Sequence, residues 1–184
     1  MKLPIYLYGS SVLRQPTREI TADYPNLDKL IADMFETMYY ADGVGLAAPQ
    51  IGLSIRLIVL DGSEIADDFP ELTGFKRVLI NPRIIEKSTE TCLYSEGCLS
   101  LPAIHTDIER PKIIKVAYLD PHFEPKEETL DGFASRLVQH EYSHLEGELF
   151  VDFAPAIRKK MLESKLLALS KGKTNAGYKT KLVK

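Results

Sequence analysis

Apolar residues recur every three or four positions along residues 26–41, which is the spacing of one helix face. A glycine stands at position 43, shortly after this stretch, and glycine commonly lies just beyond the end of a helix. The pattern predicts an amphipathic helix over 26–41 whose apolar face packs into the core. The positions of this face are Leu27, Leu30, Ile31, Met34, Phe35, Met38 and Tyr39.

Two more helices are predicted in the second half of the chain. Residues 132–146 place Phe133, Leu137 and Val138 on one side of a helix. Residues 155–170 begin with a proline, which is favoured in the first helical turn. The middle of the chain is rich in β-branched and other apolar residues, which predicts strands. Their expected bounds are 55–61, 77–86, 92–95 and 112–120, with an acidic surface loop over 62–75.

This order of elements predicts an α+β fold, with antiparallel or mixed β-sheets around the helix at 132–146. The N-terminal amphipathic helix and the C-terminal helix complete it. The 184 residues are 45% hydrophobic, which is enough for one buried core. We therefore expect a single domain over residues 1–170, followed by a basic, flexible tail over 171–184.

Composition narrows the class of protein and its compartment. No run of about 18 apolar residues is present, which excludes a transmembrane helix. The first residues lack the apolar run of a secretory signal. Only two cysteines occur, Cys92 and Cys98, which is too few for a disulfide framework. A reducing, cytoplasmic setting is expected.

Charge is unevenly distributed along the chain. The net charge is −3, but residues 156–184 carry nine Lys or Arg against the single acid Glu163. This segment has a net charge of +8, which leaves −11 on the rest. A basic end of this kind either meets an anionic partner or is simply a solvated tail.

The stretch QHEYSHLEG holds the sharpest chemical signal. His140 and His144 are four residues apart, so on a helix both imidazoles lie on one face and can bind one metal ion. Glu141 stands between them, where its carboxylate can take a proton from a water on the metal. A divalent ion needs a third protein ligand, and that ligand decides the kind of protein.

Several residues compete for the third ligand position. The long zinc-protease pattern requires a histidine where this chain has Phe150. Glu163 offers a carboxylate but stands among cations, where an ion-pairing role is expected. Cys92 lies within a predicted strand, where a cysteine is usually a small buried apolar residue. Cys98 follows a glycine at which the backbone can turn, and it is the favoured ligand, with Glu163 and Cys92 as open alternatives.

The loop GVGLAAPQ, residues 43–50, contains two glycines that leave room for a ligand. It ends in Gln50, whose amide can donate a hydrogen bond to an oxyanion that forms during a reaction. Glycine-containing loops are commonly plain turns, so this loop alone indicates little.

Taken together, GVGLAAPQ, EGCLS and QHEYSHLEG resemble, in this order and at this spacing, the three signature motifs of the peptide deformylase family. The resemblance extends over about residues 5–165. It implies a hydrolase that removes the formyl group from the N-terminal formyl-methionine of newly made bacterial or organellar proteins. It further implies Fe(II) as the cofactor, with Zn, Ni or Co as substitutes, and a bacterial cytoplasmic location.

The resemblance also assigns the metal and proton chemistry. Cys98, His140 and His144 match the family's metal ligands, so Cys98 completes the site. Glu141 matches the general acid and base. A water activated by the metal then attacks the formyl carbon, and Glu141 receives its proton and later passes it to the departing amine.

The remaining site residues are expected around the substrate. Gln50 and the backbone N–H of Leu99 match the family's donors to the tetrahedral intermediate, and Gly45 matches a backbone contact to the bound peptide. The methionine side chain needs an apolar pocket, while the rest of the peptide can lie against a strand edge. The candidates for the pocket are Val44, Tyr94, Phe133 and Leu137.

One position departs from the family. The residue before the second metal histidine is usually aspartate, and this chain has Ser143. On a regular helix Ser143 need not touch the metal, so catalysis is expected to persist. An ion pair with an arginine such as Arg110 is placed in doubt.

For partners, the resemblance implies N-formylmethionyl nascent peptides and, through the basic end, the ribosome. DNA and membranes are not expected. Truncation after Leu169 is expected to leave hydrolysis of short formyl peptides intact. The rival interpretations are a zinc peptidase with Glu163 as third ligand and a non-catalytic, metal-stabilised binding protein.

Overall fold

Three α-helices lie where the apolar spacing predicts them. The computed structural model describes residues 1–184. Its helices are α1 (Leu27–Tyr40), α2 (Gly132–Leu145) and α3 (Ala156–Leu169). The carboxylate of Asp131 caps α2 by accepting a hydrogen bond from the first backbone N–H of the helix. None of the helices is both long and apolar enough to cross a bilayer.

The strands form three separate groups. They are β1 (Ile5–Tyr6), β2 (Gly45–Ala47), β3 (Leu57–Asp61), β4 (Lys76–Lys87), β5 (Thr91–Cys98), β6 (Leu101–Pro111), β7 (Ile114–Leu119), β8 (Pro125–Leu130) and β9 (Thr180–Lys181). Five strands make an antiparallel sheet in the order β2-β3-β4-β7-β8, β5 and β6 make an antiparallel hairpin, and β1 pairs with β9 in parallel. The fold is α+β, as predicted.

Helix α2 lies between the large sheet and the hairpin. On one side Leu137 and Val138 pack in a cluster with apolar residues of the sheet such as Ile58. On the other side the guanidinium of Arg136 donates to the carbonyl oxygens of Cys92 (2.6 Å) and Ile108 (2.9 Å) in the hairpin. Side chains on α2 are therefore buried from both directions, which positions them rigidly.

Five strands were not predicted from the sequence: β1, β2 and β9, which have only two or three residues each, and the longer β6 and β8. In β6 every second residue from Ile104 to Arg110 is buried, as expected for a strand. Two of these buried residues, Thr106 and Arg110, are polar or charged, so the sequence lacks the apolar alternation that predicts a strand. Strand β8 is an edge strand with mostly exposed polar and charged residues. Charged edge strands protect a sheet from further pairing, and they carry no apolar alternation to detect.

The segment 62–75, expected as a surface loop, contributes to the core. Two short 3-10 turns occur in it, and Leu72 is fully buried. The ring of Phe69 stacks on that of Phe133 with centroids 4.0 Å apart. The acidic residues face solvent while these apolar ones cover the start of α2.

The C-terminal segment, residues 171–184, packs on the body of the protein, which differs from the expected flexible tail. The N–H of Ile5 donates to the carbonyl of Lys179 (2.9 Å), and that of Leu7 donates to the carbonyl of Lys181 (2.8 Å). The physical reason is main-chain pairing with β1, which composition does not reveal.

Candidate metal centre and active site

Three potential metal ligands from two elements converge. Cys98 is the last residue of β5, and His140 and His144 lie one turn apart on α2. Their ligand atoms all lie within 4.8 Å of one another, and Sγ of Cys98 is 3.3 Å from Nε2 of His144. One thiolate and two imidazoles suit a divalent transition metal ion and leave a coordination position open.

The alternative ligands are not part of this cluster. Sγ of Cys92 lies 3.8 Å from the carbonyl oxygen of Arg110, within the hairpin. Glu163 is exposed on α3. The structure thus brings together the three residues that the sequence favoured and leaves the other two candidates elsewhere.

Glu96, a residue for which the sequence predicted no role, orients one of the histidines. Its Oε2 atom is 2.8 Å from Nδ1 of His140, which leaves Nε2 of that ring for a metal ion. Arg110 and Arg136 each donate to Oε1 of the same carboxylate, both at 2.7 Å. Burial raises the pKa of Glu96, but the bonds from His140 and Arg110 outweigh burial and hold it well below its usual range. The only sequence signal for this role is its position in EGCLS, two residues before Cys98.

The two histidines have opposite electrostatic surroundings. Burial lowers the pKa of His140, but hydrogen bonds with Cys98 and Glu96 outweigh burial and raise that pKa to about 10. Burial and the charge of His140 hold the pKa of His144 well below its ordinary value. The raised pKa favours the protonated form of His140, so a metal ion at Nε2 of this ring would displace a proton.

Ser143 faces the buried side chain of Arg110. Nη1 of Arg110 donates to its Oγ at 3.0 Å, and the Ser143 hydroxyl donates to the carbonyl of Gln139 at 2.9 Å. Arg110 is thus the arginine beside this position. Two buried guanidiniums, of Arg110 and Arg136, share the single carboxylate of Glu96.

Glu141 lies beside the metal ligands with a free carboxylate oxygen. Its side chain is buried, and Oε2 has no hydrogen-bond partner. Desolvation raises the pKa of Glu141 to about 7, because burial disfavours the charged form more than the nearby His140 charge favours it. A carboxyl with a pKa near neutrality can both accept and return a proton.

Gln50 is held rigidly at the edge of the same site. It lies in a 3-10 turn, and its Oε1 accepts the N–H of Ala47 at 2.8 Å. This fixes the amide so that Nε2 points to Sγ of Cys98 (3.4 Å) and Oγ of Ser100 (3.3 Å). A donor fixed in this way can stabilise an oxyanion without reorganising.

These residues surround a cavity of about 420 Å³. Its apolar wall includes Val44, Phe133 and Leu137, three of the four predicted pocket residues, and Ile65 from the segment 62–75. Gly45, Gln50, Cys98, Leu99, His140 and Glu141 line it as well.

Tyr94, the fourth predicted pocket residue, lies behind the wall. Its ring meets that of Phe133 edge to face with centroids 5.4 Å apart, and it does not line the cavity. Tyr178 does line the cavity, although it belongs to none of the three motifs. Its hydroxyl donates to the carbonyl of Leu99 at 2.7 Å, and burial raises its pKa to about 12.

The chain is similar to known proteins over nearly its whole length. Residues 2–160 match the family model for polypeptide deformylase. The peptide deformylase of Christiangramia forsetii is 45% identical, over 97% of this chain and 95% of that protein. The peptide deformylase of Flavobacterium johnsoniae is 44% identical, over 98% of this chain and 96% of that protein.

Solved structures give the same result. The crystal structure of peptide deformylase from Thermotoga maritima has a TM-score of 0.76 and 43% identity, covering 84% of this chain and 99% of that one. Peptide deformylase 1B of Arabidopsis thaliana, in complex with an inhibitor, has a TM-score of 0.83 and 34% identity, covering 92% and 91%. The chain therefore belongs to the polypeptide deformylase family, whose members are hydrolases and metalloenzymes.

Proposed function

We propose that this chain hydrolyses the formyl group of N-formylmethionyl nascent peptides, with a divalent metal ion bound by Cys98, His140 and His144. One observation carries the proposal. The free carboxylate of Glu141 stands beside these three ligands in a cavity with one apolar wall. A water and a small acyl group at that place would meet a proton acceptor and a Lewis acid together.

The proposed ion is Fe²⁺, with Zn²⁺, Ni²⁺ or Co²⁺ as substitutes. When bound, the ion supplies a Lewis acid that polarises the formyl carbonyl and lowers the pKa of a water. The protein fixes the ligands: Glu96 holds the ring of His140 by its Nδ1 atom, and strand β5 presents Cys98.

Glu141 moves the proton in this mechanism. Its free Oε2 accepts a proton from the attacking water as the oxygen bonds to the formyl carbon. It then passes that proton to the amide nitrogen, the C–N bond breaks, and formate and the free amine of methionine leave. The raised pKa of Glu141 suits both transfers.

The oxyanion of the tetrahedral intermediate is stabilised by two donors. Nε2 of Gln50 is one, and the backbone N–H of Leu99, the residue after Cys98, is the other. The Gln50 amide is held by the N–H of Ala47, and the Leu99 N–H is part of the main chain, so neither dipole needs to reorganise as charge develops.

The apolar wall selects the methionine side chain. Val44, Leu137 and Phe133 bound the cavity, and Tyr94 supports Phe133 from behind. Gly45 belongs to β2, an outer strand of the large sheet, so its main chain can pair with an extended peptide. Main-chain pairing accepts many sequences, as a nascent-chain enzyme requires.

We also propose that the basic residues of 156–184 contact ribosomal RNA in the bacterial cytoplasm. Lys160, Lys171 and Lys173 are exposed, and cations near phosphates release counterions. Replacing these three lysines by glutamine is expected to weaken ribosome co-sedimentation at low salt while short-peptide turnover stays unchanged. Salt-insensitive or unchanged sedimentation would remove this part of the proposal.

The proposed activity is tested by anaerobic purification, metal analysis and assay on the same sample. An N-formylmethionyl tripeptide should release formate in proportion to bound metal, and an N-acetyl tripeptide should react far more slowly. Cleavage of internal peptide bonds in place of formyl release would support the zinc peptidase alternative. No hydrolysis by a fully metallated sample would reject the proposal.

A further inference from the structure

The C-terminal segment returns from the surface to the active site. After α3 ends at Leu169, the chain folds back and β9 pairs in parallel with β1. The N–H of Ser11 also donates to the carbonyl of Val183 at 3.0 Å. Main-chain hydrogen bonds from β1 and from Ser11 therefore hold this segment against the rest of the protein at several points.

Side chains along this segment alternate between the body and solvent. The inward positions are less exposed than their neighbours, and they are Thr174, Ala176, Tyr178, Thr180 and Leu182. Leu182 packs against the same apolar cluster as Cys98. The alternation is that of a strand-like segment with one face against the protein, and it directs Tyr178 to the cavity.

The backbone carbonyls of Leu99 and Ser100, the two residues after Cys98, each accept a hydrogen bond from a segment near one end of the chain. The Tyr178 hydroxyl donates to the carbonyl of Leu99 at 2.7 Å. The backbone N–H of Tyr8, just beyond β1, donates to the carbonyl of Ser100 at 2.9 Å. Because β1 and β9 pair with each other, the two contacts form one connected support for the turn between β5 and β6.

We propose that Tyr178 is a positioning residue of this enzyme. Its hydroxyl anchors the carbonyl of Leu99, which belongs to the peptide unit just after the one that carries the Leu99 N–H. This restricts rotation of the Leu99 backbone and so holds that N–H in place, and the Tyr178 ring closes one wall of the cavity. This inference rests on the proposed function, because Leu99 matters as an oxyanion donor only if an oxyanion forms. The C-terminal segment is then part of the active site, and removing it reduces hydrolysis, contrary to the expectation from its basic composition.

The test uses full-length Tyr178→Phe, which keeps the ring and removes only the hydroxyl. Tyr40→Phe is the matched control, since Tyr40 is exposed and does not line the cavity. For hydrolysis of an N-formylmethionyl tripeptide we expect kcat to fall about three- to tenfold with KM nearly unchanged, the effect of one hydrogen bond. Metal content and Tm should match those of the control.

A second measurement does not depend on activity. Hydrogen exchange of the peptide that contains residues 97–101 should be faster in Tyr178→Phe than in the control, because the Leu99 backbone loses its anchor. If the substituted protein matches the control in both kcat and exchange, the proposal is overturned. A lower Tm with unchanged kcat would show a structural role only and would also overturn it.

Loss of metal in parallel with kcat would mean that the hydroxyl supports Cys98 rather than the Leu99 peptide, which contradicts the proposal. If the wild-type protein hydrolyses no formyl peptide, the proposed function fails, and the exchange measurement still decides whether Tyr178 holds Leu99. The two failures are therefore distinguishable.

Discussion

Gly45 lies so close to Glu141 that a β-carbon on residue 45 would be 2.5 Å from the carboxylate oxygen Oε1. That distance is far below van der Waals contact. The glycine is needed for space rather than for an unusual backbone angle, since its φ is not in the left-handed region. Strand β2 thus presents a bare backbone surface against which the carboxylate is placed.

Gly45→Ala is expected to displace the Glu141 carboxylate and reduce turnover by at least about tenfold, because proton transfer depends on position. Metal content should not change, since no ligand moves. The matched control is Gly74→Ala, where a β-carbon meets no atom within 4 Å. Alanine at a φ of 69° costs stability, but Gly74 does not line the cavity, so turnover should persist. Equal turnover in the two variants would contradict the packing argument.

Glu141→Gln keeps the shape of the side chain but removes the proton acceptor. Turnover is expected to fall by about a hundredfold or more while metal stays bound. The measurement is steady-state hydrolysis of an N-formylmethionyl peptide together with metal analysis. Comparable turnover with bound metal would show that another group moves the proton.

The raised pKa of Glu141 also predicts a pH effect on the metal-free protein. The pKa is about 7 in the folded state, against 4.5 for the free residue, so ionisation is penalised by folding. The contribution of the neutral Glu141 side chain to the free energy of unfolding is fully present below pH 4.5 and is lost as the pH rises through 7. Metal-free Glu141→Gln should therefore be more stable than metal-free wild type by about 3 kcal/mol above pH 8, and nearly equal at pH 4. Urea denaturation at both pH values measures this, and a difference independent of pH would refute it.

Ser143→Asp is expected to leave turnover within about threefold, because residue 143 faces Arg110 rather than the metal ligands. The new carboxylate would pair with the guanidinium of Arg110 and raise stability by about 1 kcal/mol. Ser135→Asp is the control, since Ser135 is buried on the same helix and its hydroxyl accepts a hydrogen bond from Gln139 rather than from an arginine. It should destabilise the protein. Loss of metal in Ser143→Asp would show that the helix register is wrong.

The sequence predicted the helices and the ligand cluster because both depend on local spacing. Apolar residues with the helical period of about 3.6 residues predicted α1. The four-residue spacing of His140 and His144 predicted that both lie on the same face of a helix. Cys98 was predicted as the third ligand from the glycine before it and from the resemblance to the peptide deformylase family. These features need no knowledge of which distant segments meet.

What the sequence did not predict depends on long-range pairing. Glu96 acquires its role only when β5 meets α2, and Tyr178 only when β9 reaches β1. Strand β6 was missed because its inward row includes Arg110, a buried charge that its partner Glu96 makes tolerable. The C-terminal alternation was hidden because small and polar residues occupy its inward positions.

The central claim is that Cys98 completes a metal centre that hydrolyses formyl peptides. The most direct test is Cys98→Ser, purified without oxygen and measured for bound metal and formate release, beside Cys92→Ser and Glu163→Gln. The account predicts loss of both metal and turnover in Cys98→Ser, since a serine hydroxyl is a far weaker ligand than a thiolate, and near wild-type values in the other two. Full metal binding and full turnover in Cys98→Ser would contradict it.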